Sequence, residues 1–133
     1  MKIKFLLLII FIAAIFTGCG EKANTFTELT PDEAQKIIQT EKNILILDVR
    51  TPEEYSVRRI PNSVLLPLEE IEVGNFAPLK DKNQKILIYC RSGRRSKIAA
   101  KILVENGYTN IFEFGAIPDW KGEMDETIIN VED

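Results

Sequence analysis

A single cysteine stands between an apolar segment and a basic turn. Residues 85–96 read Lys-Ile-Leu-Ile-Tyr-Cys-Arg-Ser-Gly-Arg-Arg-Ser. The β-branched run Ile86–Tyr89 predicts a buried strand, and the apolar spacing that follows Ser96 predicts a helix ending near Glu105. Cys90 is therefore expected at the carboxyl end of a strand and just before a helix N-terminus, which is where open α/β sheets bind their ligands.

The turn that follows Cys90 has the properties of an anion-binding loop. Backbone N–H groups at a helix N-terminus bind anions, and the same surroundings favour the thiolate form of a cysteine. Arg91, Arg94 and Arg95 add positive charge, and Gly93 permits a tight turn. We interpret Cys90 as a nucleophile that acts on an anionic substrate. The alternative, a small apolar residue that fills the end of the sheet, does not account for the basic turn.

Composition excludes several other kinds of site. The 133-residue chain contains no histidine, which excludes Cys-His dyads, Ser-His-Asp triads and most zinc sites, so we expect neither a metal nor a cofactor. The two cysteines are Cys19 and Cys90, and a disulfide framework is not expected if Cys19 is modified. A net charge of −3 without a basic tail argues against a nucleic-acid partner.

The N-terminus has the pattern of an export signal. Two lysines precede an unbroken apolar run over 5–16, which is short for a membrane-spanning helix and typical of a secretory signal. The sequence Ile-Phe-Thr-Gly-Cys that ends at Cys19 resembles a bacterial lipobox, in which the cysteine becomes the lipidated first residue. An ordinary signal peptide and an uncleaved anchor are the alternatives. The expected divisions are a lipoprotein signal peptide over 1–18, a lipid-anchored tether over 19–25 and a folded domain over 26–133.

The rest of the chain alternates strands with helices. The predicted strands are 26–29, 44–47, 64–66, 86–89 and 111–114. Helices are predicted after Thr30 and Thr51, each of which begins an N-cap, proline and acid pattern, and a helix-ending signal stands at Asn106-Gly107. Continuous apolar strands that alternate with helices predict an α/β domain with a five-stranded, mostly parallel sheet flanked by helices.

Three blocks of this sequence resemble the single-domain rhodanese (sulfurtransferase) family. Residues 48–55, Asp-Val-Arg-Thr-Pro-Glu-Glu-Tyr, resemble the Asp-Val-Arg block at the end of that family's second strand. Residues 90–96 match its Cys-x-x-Gly-x-Arg-Ser loop, and Gly115 and Trp120 match the glycine and tryptophan after its last strand. The chain departs from the family in having Arg58-Arg59 and Asn62-Ser63 where Gly-His and Gly-Ala are usual.

The resemblance implies a rhodanese-like fold and sulfane-sulfur transfer through a persulfide on Cys90. It implies substrate binding by the loop, whose members are Arg91, Ser92, Gly93, Arg94, Arg95 and Ser96. We expect Arg95 to brace the loop and Arg91 and Arg94 to lie at its mouth. Asp48 and Arg50 either order a strand end or support the Cys90 loop from behind.

The implied substrates are a small anionic sulfur donor, such as thiosulfate, and a thiol or cyanide-like acceptor. The protein is expected to be a monomer, held by its lipid anchor at a membrane of the cell envelope or periplasm. One alternative is a membrane-tethered, non-catalytic rhodanese-like binding module. Another is a cysteine-dependent phosphatase or arsenate reductase, whose Cys-x5-Arg loop places its arginine where this chain has Ser96, one residue after Arg95.

Overall fold

The computed structural model describes residues 25–127. Cys19, the predicted signal peptide and most of the predicted tether lie outside the described residues, so the expectations about them stay predictions. Within residues 25–127, no helix is long and apolar enough to cross a membrane.

A five-stranded sheet forms the centre of the domain, and all its strand pairs are parallel. The strands of the described region, in chain order, are β1 (Thr27–Glu28), β2 (Ile44–Asp48), β3 (Arg58–Arg59), β4 (Val64–Leu65), β5 (Lys85–Cys90), β6 (Ile111–Ala116) and β7 (Asp125–Glu126). The order in the sheet is β1-β6-β5-β2-β4. The predicted parallel α/β architecture is therefore confirmed.

Four α-helices cover this sheet in the described region, and a short 3-10 helix follows β6. They are α1 (Pro31–Thr40), α2 (Pro52–Val57), α3 (Leu68–Glu72) and α4 (Arg94–Glu105), with the 3-10 helix at Ile117–Asp119. The first two helices begin as the sequence predicts. Thr30 with Glu33, and Thr51 with Glu54, form complete capping boxes, each followed by a proline in the first turn.

The central strand β5 separates two apolar clusters. Ile86, Ile88 and Cys90 belong to the cluster that includes residues of α3 and α4, whereas Leu87 and Tyr89 belong to the cluster that includes residues of α1 and β6. This alternation follows from the two-residue period of a strand. It places the Cys90 side chain on the side of the sheet that α4 covers.

Three local features differ from the predictions. Helix α4 begins at Arg94, two residues earlier than expected, because Gly93 occupies the N-cap position. The basic pair Arg58-Arg59 forms β3, which pairs antiparallel with β7 in a separate two-stranded sheet. Strand β6 continues to Ala116, two residues beyond the predicted end at residue 114, and the 3-10 helix follows it.

Candidate active site

Cys90 is the last residue of β5, and its side chain is completely buried. The backbone N–H of Gly93 donates a hydrogen bond to Cys90 Sγ at 3.0 Å. Gly93 has a φ of 89°, in the left-handed region, which glycine adopts at little cost. This turn directs an amide hydrogen at the sulfur and begins α4 at the next residue, so the sulfur lies beside the positive end of the helix.

The side chain of Ser96 forms a hydrogen bond with the sulfur. Its Oγ lies 3.4 Å from Cys90 Sγ, 3.0 Å from the carbonyl oxygen of Gly93 and 2.6 Å from Glu113 Oε1. Ser96 is fully buried in the first turn of α4. Its hydroxyl therefore connects the cysteine to a carboxyl group on the neighbouring strand.

That carboxyl group belongs to Glu113 of β6, a residue that our sequence reasoning missed. Glu113 is only 2% exposed and accepts hydrogen bonds at Oε1 from the Ser96 hydroxyl and, at 2.8 Å, from the Gly115 N–H. The pairing of β5 with β6 shifts between Ile88 and Cys90, so β6 bulges beside the cysteine. A signal was present in the sequence, since a glutamate within Ile-Phe-Glu-Phe interrupts a strand that is otherwise apolar.

Arg95 connects the loop to helix α2. Its Nη1 and Nη2 donate to Glu54 Oε2 and Oε1 at 2.7 and 2.9 Å, a two-pronged ion pair between partly buried side chains. These hydrogen bonds lower the pKa of Glu54 to about 2, and they raise the pKa of Arg95. The sequence indicated Glu54 only as the capping residue of α2. Its second role requires a contact between residues far apart in the chain.

Asp48 and Arg50 form a buried ion pair at the end of β2, the strand adjacent to β5. Arg50 Nη2 lies 2.7 Å from Asp48 Oδ2 and 2.5 Å from the carbonyl oxygen of Arg58, and the guanidinium lies over the Tyr89 ring at 5.6 Å. Burial opposes the charge on Arg50, but the bonds to Asp48 outweigh it and raise the pKa of Arg50. The pair orders the strand end next to Cys90 and makes no hydrogen bond to the sulfur itself.

The remaining loop residues lie at the surface. Arg91, Ser92 and Arg94 are exposed, and within residues 25–127 neither arginine forms an ion pair. Arg94 and Ser92 border a cleft that also contains Glu113, whereas Arg91 borders a second cleft with Arg50. The predicted loop therefore forms one local site, with a buried thiol beneath exposed cations.

The described residues outside the loop add neither a metal site nor an aromatic contact to the thiol. In the described part of the chain, no cluster of three aspartate, glutamate, cysteine or histidine side chains could hold a metal ion. Trp120 packs against Phe114 in the core with 5.6 Å between ring centroids, and its indole N–H donates to the Glu123 carbonyl. The chemistry available is that of a thiol with a backbone donor, a hydroxyl and a carboxyl group.

Comparison with known proteins identifies a family and several relatives. Residues 30–123 match the sequence pattern of the Rhodanese-like domain. The chain is 36% identical over 73 residues to the thiosulfate sulfurtransferase PspE of Escherichia coli, covering 55% of this chain and 70% of the relative. It is 34% identical over 97 residues to the thiosulfate sulfurtransferase GlpE of Actinobacillus succinogenes, covering 72% and 85%. It spans only 57% of the length of another relative, YrkF of Bacillus subtilis.

Solved structures show the same fold. A structure described as rhodanese with anions from E. coli has a TM-score of 0.58 at 31% identity, and the match covers 63% of this chain and 99% of that one. A rhodanese-like domain protein from Staphylococcus aureus has a TM-score of 0.66 at 29% identity, covering 77% and 99%. The predicted rhodanese-like fold is therefore confirmed by three-dimensional similarity to solved structures.

Proposed function

The chain belongs to the rhodanese-like domain family, and from that premise we propose that it transfers sulfane sulfur through a persulfide on Cys90. Relatives named thiosulfate sulfurtransferase support a sulfurtransferase function at modest sequence identity. The proposed donor is thiosulfate or a similar small anion, and the acceptor is cyanide or a thiol. The observation that carries the proposal is the Gly93 N–H directed at Cys90 Sγ, at the junction of a strand and a helix N-terminus.

In the first step, the Cys90 thiolate attacks the outer sulfur of thiosulfate. A sulfur–sulfur bond forms at Cys90, the sulfur–sulfur bond of the donor breaks, and the electron pair leaves with sulfite. The resulting persulfide carries one negative charge. Before this step the Gly93 N–H, which is fixed 3.0 Å from Cys90 Sγ, stabilises the negative charge of the attacking thiolate as an oxyanion hole stabilises oxygen.

The arginines have two separate roles in this proposal. Arg91 and Arg94 are exposed and without ion-pair partners in residues 25–127, so their charges attract a dianionic donor to the loop. Arg95 instead holds the loop against α2 through Glu54. A guanidinium engaged in this way is not directed at the thiol, which differs from the phosphate-wrapping arginine of a cysteine-dependent phosphatase.

In the second step, the acceptor attacks the outer sulfur of the persulfide. The bond to Cys90 breaks and its electron pair returns to the cysteine as a thiolate, while cyanide becomes thiocyanate or a thiol becomes a persulfide. The second cycle can then begin without a cofactor.

The test is the formation of thiocyanate from thiosulfate and cyanide by the full chain. We expect Cys90→Ser to abolish the reaction, because a serine cannot hold a transferable sulfur, and Cys19→Ser to retain it. Substantial activity in Cys90→Ser would contradict the persulfide mechanism. A wild-type protein that is folded and inactive with both thiosulfate and thiosulfonate donors would favour the binding-module alternative.

We also propose that Cys19 is lipidated and holds the domain at a membrane of the cell envelope. The lipobox-like sequence before Cys19 supports this, and stable anchoring requires more than one acyl chain. We expect the wild-type protein to partition into the detergent phase, and Cys19→Ser to be released or to remain unprocessed. Recovery of wild-type protein in the aqueous phase with an unmodified N-terminal region would contradict the anchor.

A further inference from the structure

We propose that Glu113 is the proton acceptor for Cys90: the two groups share one proton through Ser96, and Cys90 becomes a thiolate when that proton rests on Glu113. The catalytic meaning of this proposal rests on the proposed function, whereas the proton sharing itself does not. The site contains no histidine to act as a base, so the buried carboxyl group next to the loop is the residue placed to take this role.

The three side chains form a continuous path. Cys90 Sγ is 3.4 Å from Ser96 Oγ, and Ser96 Oγ is 2.6 Å from Glu113 Oε1. All three residues are buried, with exposures of 0%, 0% and 2%. A second donor, the Gly115 N–H, fixes the carboxyl oxygen at 2.8 Å. The path is therefore held at both ends by backbone groups, since the Gly93 N–H contacts the sulfur.

The hydrogen-bond distances indicate which group donates at each step from Cys90 to Glu113. The single hydroxyl hydrogen of Ser96 has two protein acceptors besides the sulfur: the Gly93 carbonyl at 3.0 Å and Glu113 at 2.6 Å. A carboxylate accepts the stronger bond, so the hydroxyl donates to Glu113. The lone pairs of Ser96 Oγ then remain available to the thiol hydrogen of Cys90.

Activation of the thiol moves two protons by one position each. The Cys90 proton passes to Ser96 Oγ, and the Ser96 proton passes to Glu113 Oε1. Ser96 remains a neutral hydroxyl and no electrons leave the site. The products are a thiolate that accepts from the Gly93 N–H and the Ser96 hydroxyl, and a neutral carboxylic acid.

Electrostatic repulsion favours a single negative charge shared by Cys90 and Glu113. Two buried negative groups that are linked through one hydroxyl disfavour each other. Arg95 and Lys97 are paired with Glu54 and Glu28. Arg91 is exposed, so solvent screens its charge. The other charged groups around the pair are Arg94 and Asp119 along the cleft beside Glu113, and Asp48 and Arg50 at the end of β2. A proton on Glu113 also spares a dianionic donor the repulsion of a second negative charge.

The test measures the pH dependence of Cys90 alkylation by iodoacetamide in the full chain, read on the Cys90 peptide by mass spectrometry. Glu113→Gln keeps an acceptor for Ser96 and Gly115 but cannot take up a proton or carry a charge. In the wild type, the shared proton leaves only in the second macroscopic step of the pair, so alkylation is complete only above that step. Glu113→Gln lacks this step, and we expect its half-maximal alkylation to lie about one pH unit or more lower. An unchanged or higher midpoint would overturn the proposal.

The matched control is Glu28→Gln. Glu28 is an exposed carboxylate on the same cleft. Its replacement by glutamine removes the same charge and leaves the path from Cys90 through Ser96 to Glu113 intact. We expect its midpoint to stay within a few tenths of a unit of the wild-type value, since exposed charges are screened. An equal shift of the alkylation midpoint in Glu113→Gln and Glu28→Gln would mean that any nearby negative charge has this effect. That result would contradict a shared proton.

A second measurement tests the proposal without the Glu113→Gln variant, which could fail to fold. The carboxyl carbon resonance of Glu113 is followed by NMR against pH in the wild type and in Cys90→Ser. We expect wild-type Glu113 to change in the same pH steps as Cys90 alkylation, and to titrate in a single step in Cys90→Ser. A Glu113 titration that is indifferent to Cys90 would overturn the proposal. Because neither measurement uses a sulfur donor, failure of the sulfurtransferase assay is recorded separately from failure of proton sharing.

Discussion

Arg95 and Glu54 join the cysteine loop to helix α2 through two parallel hydrogen bonds of 2.7 and 2.9 Å. Glu54 is also the residue that closes the capping box of α2, where its carboxylate accepts from the Thr51 N–H. One carboxylate therefore fixes a helix start and the loop around Cys90 at the same time. Changes at either end of this pair are expected to affect both stability and the shape of the loop.

Replacing Arg95 tests the geometry of this pair apart from its charge. We expect Arg95→Ala to lower the free energy of unfolding by about 1–2 kcal/mol, because charge-assisted bonds are lost from a partly buried position. Arg95→Lys keeps the positive charge but cannot form two parallel hydrogen bonds. Its stability should therefore lie between those of the wild type and Arg95→Ala, and its thiocyanate production should still fall below the wild-type level. Urea unfolding and the thiocyanate assay give both values. Lys97→Ala, which breaks an exposed pair with Glu28, is the control and should cost less than about 1 kcal/mol.

Acid should weaken the protein through Glu54. Its pKa falls from 4.5 to about 2 on folding because Arg95 donates to the carboxylate, so the folded state binds this proton less well than the unfolded chain. The stabilisation is therefore complete above pH 4.5 and is lost as the pH falls towards 2. Urea unfolding across this range should show a shallower decline in Glu54→Gln than in the wild type. Equal slopes in the two proteins would contradict the assignment.

Gly93 can be tested against a glycine with the same backbone strain elsewhere. Gly93 and Gly74 have φ values of 89° and 81°, and an added Cβ would meet no close contact at either position. Each alanine substitution should therefore cost about 1–2 kcal/mol in unfolding free energy. Only Gly93→Ala should also reduce thiocyanate production, because Gly93 directs its N–H at Cys90 Sγ. Equal activity in the two variants would contradict the claim that the left-handed turn at Gly93 is needed to direct this N–H at the sulfur.

The buried pair of Asp48 and Arg50 should be far more important for stability than an exposed pair. Asp48→Ala leaves the Arg50 charge buried without its partner, and we expect a loss of about 3–5 kcal/mol. Glu126→Ala breaks the exposed Arg58–Glu126 pair at 3.1 Å and should cost about 0–1 kcal/mol. Urea unfolding at neutral pH compares them, and a loss below about 1 kcal/mol in Asp48→Ala would mean that Arg50 reaches solvent or another partner.

Much of the fold could be predicted from local sequence patterns. The continuous apolar runs predicted parallel strands, and the Thr-Pro patterns predicted the starts of α1 and α2, because these signals act within a few residues. The pairing of β3 with β7 could not be predicted, since it joins Arg58 and Glu126 across most of the domain. Two-residue strands without an apolar side chain have no hydrophobic pattern from which to predict them.

The site shows the same division between local and distant information. Residues 90–96 could be predicted together because they form one turn. Glu54 and Glu113 reach that turn from α2 and β6, through contacts that depend on how the sheet brings its strand ends together. The charged residue inside the apolar β6 was a usable signal for Glu113. For Glu54, the capping pattern of α2 was a complete explanation by itself and concealed the contact with Arg95.

The most direct test of the sulfurtransferase proposal is the mass of the protein after exposure to thiosulfate alone. We expect the full chain to gain one sulfur atom, located on the Cys90 peptide by mass spectrometry, and to lose it when cyanide is added. Cys90→Ser should gain none. A wild-type protein that stays unmodified by thiosulfate yet produces thiocyanate, or that carries the added sulfur on another residue, would contradict transfer through Cys90.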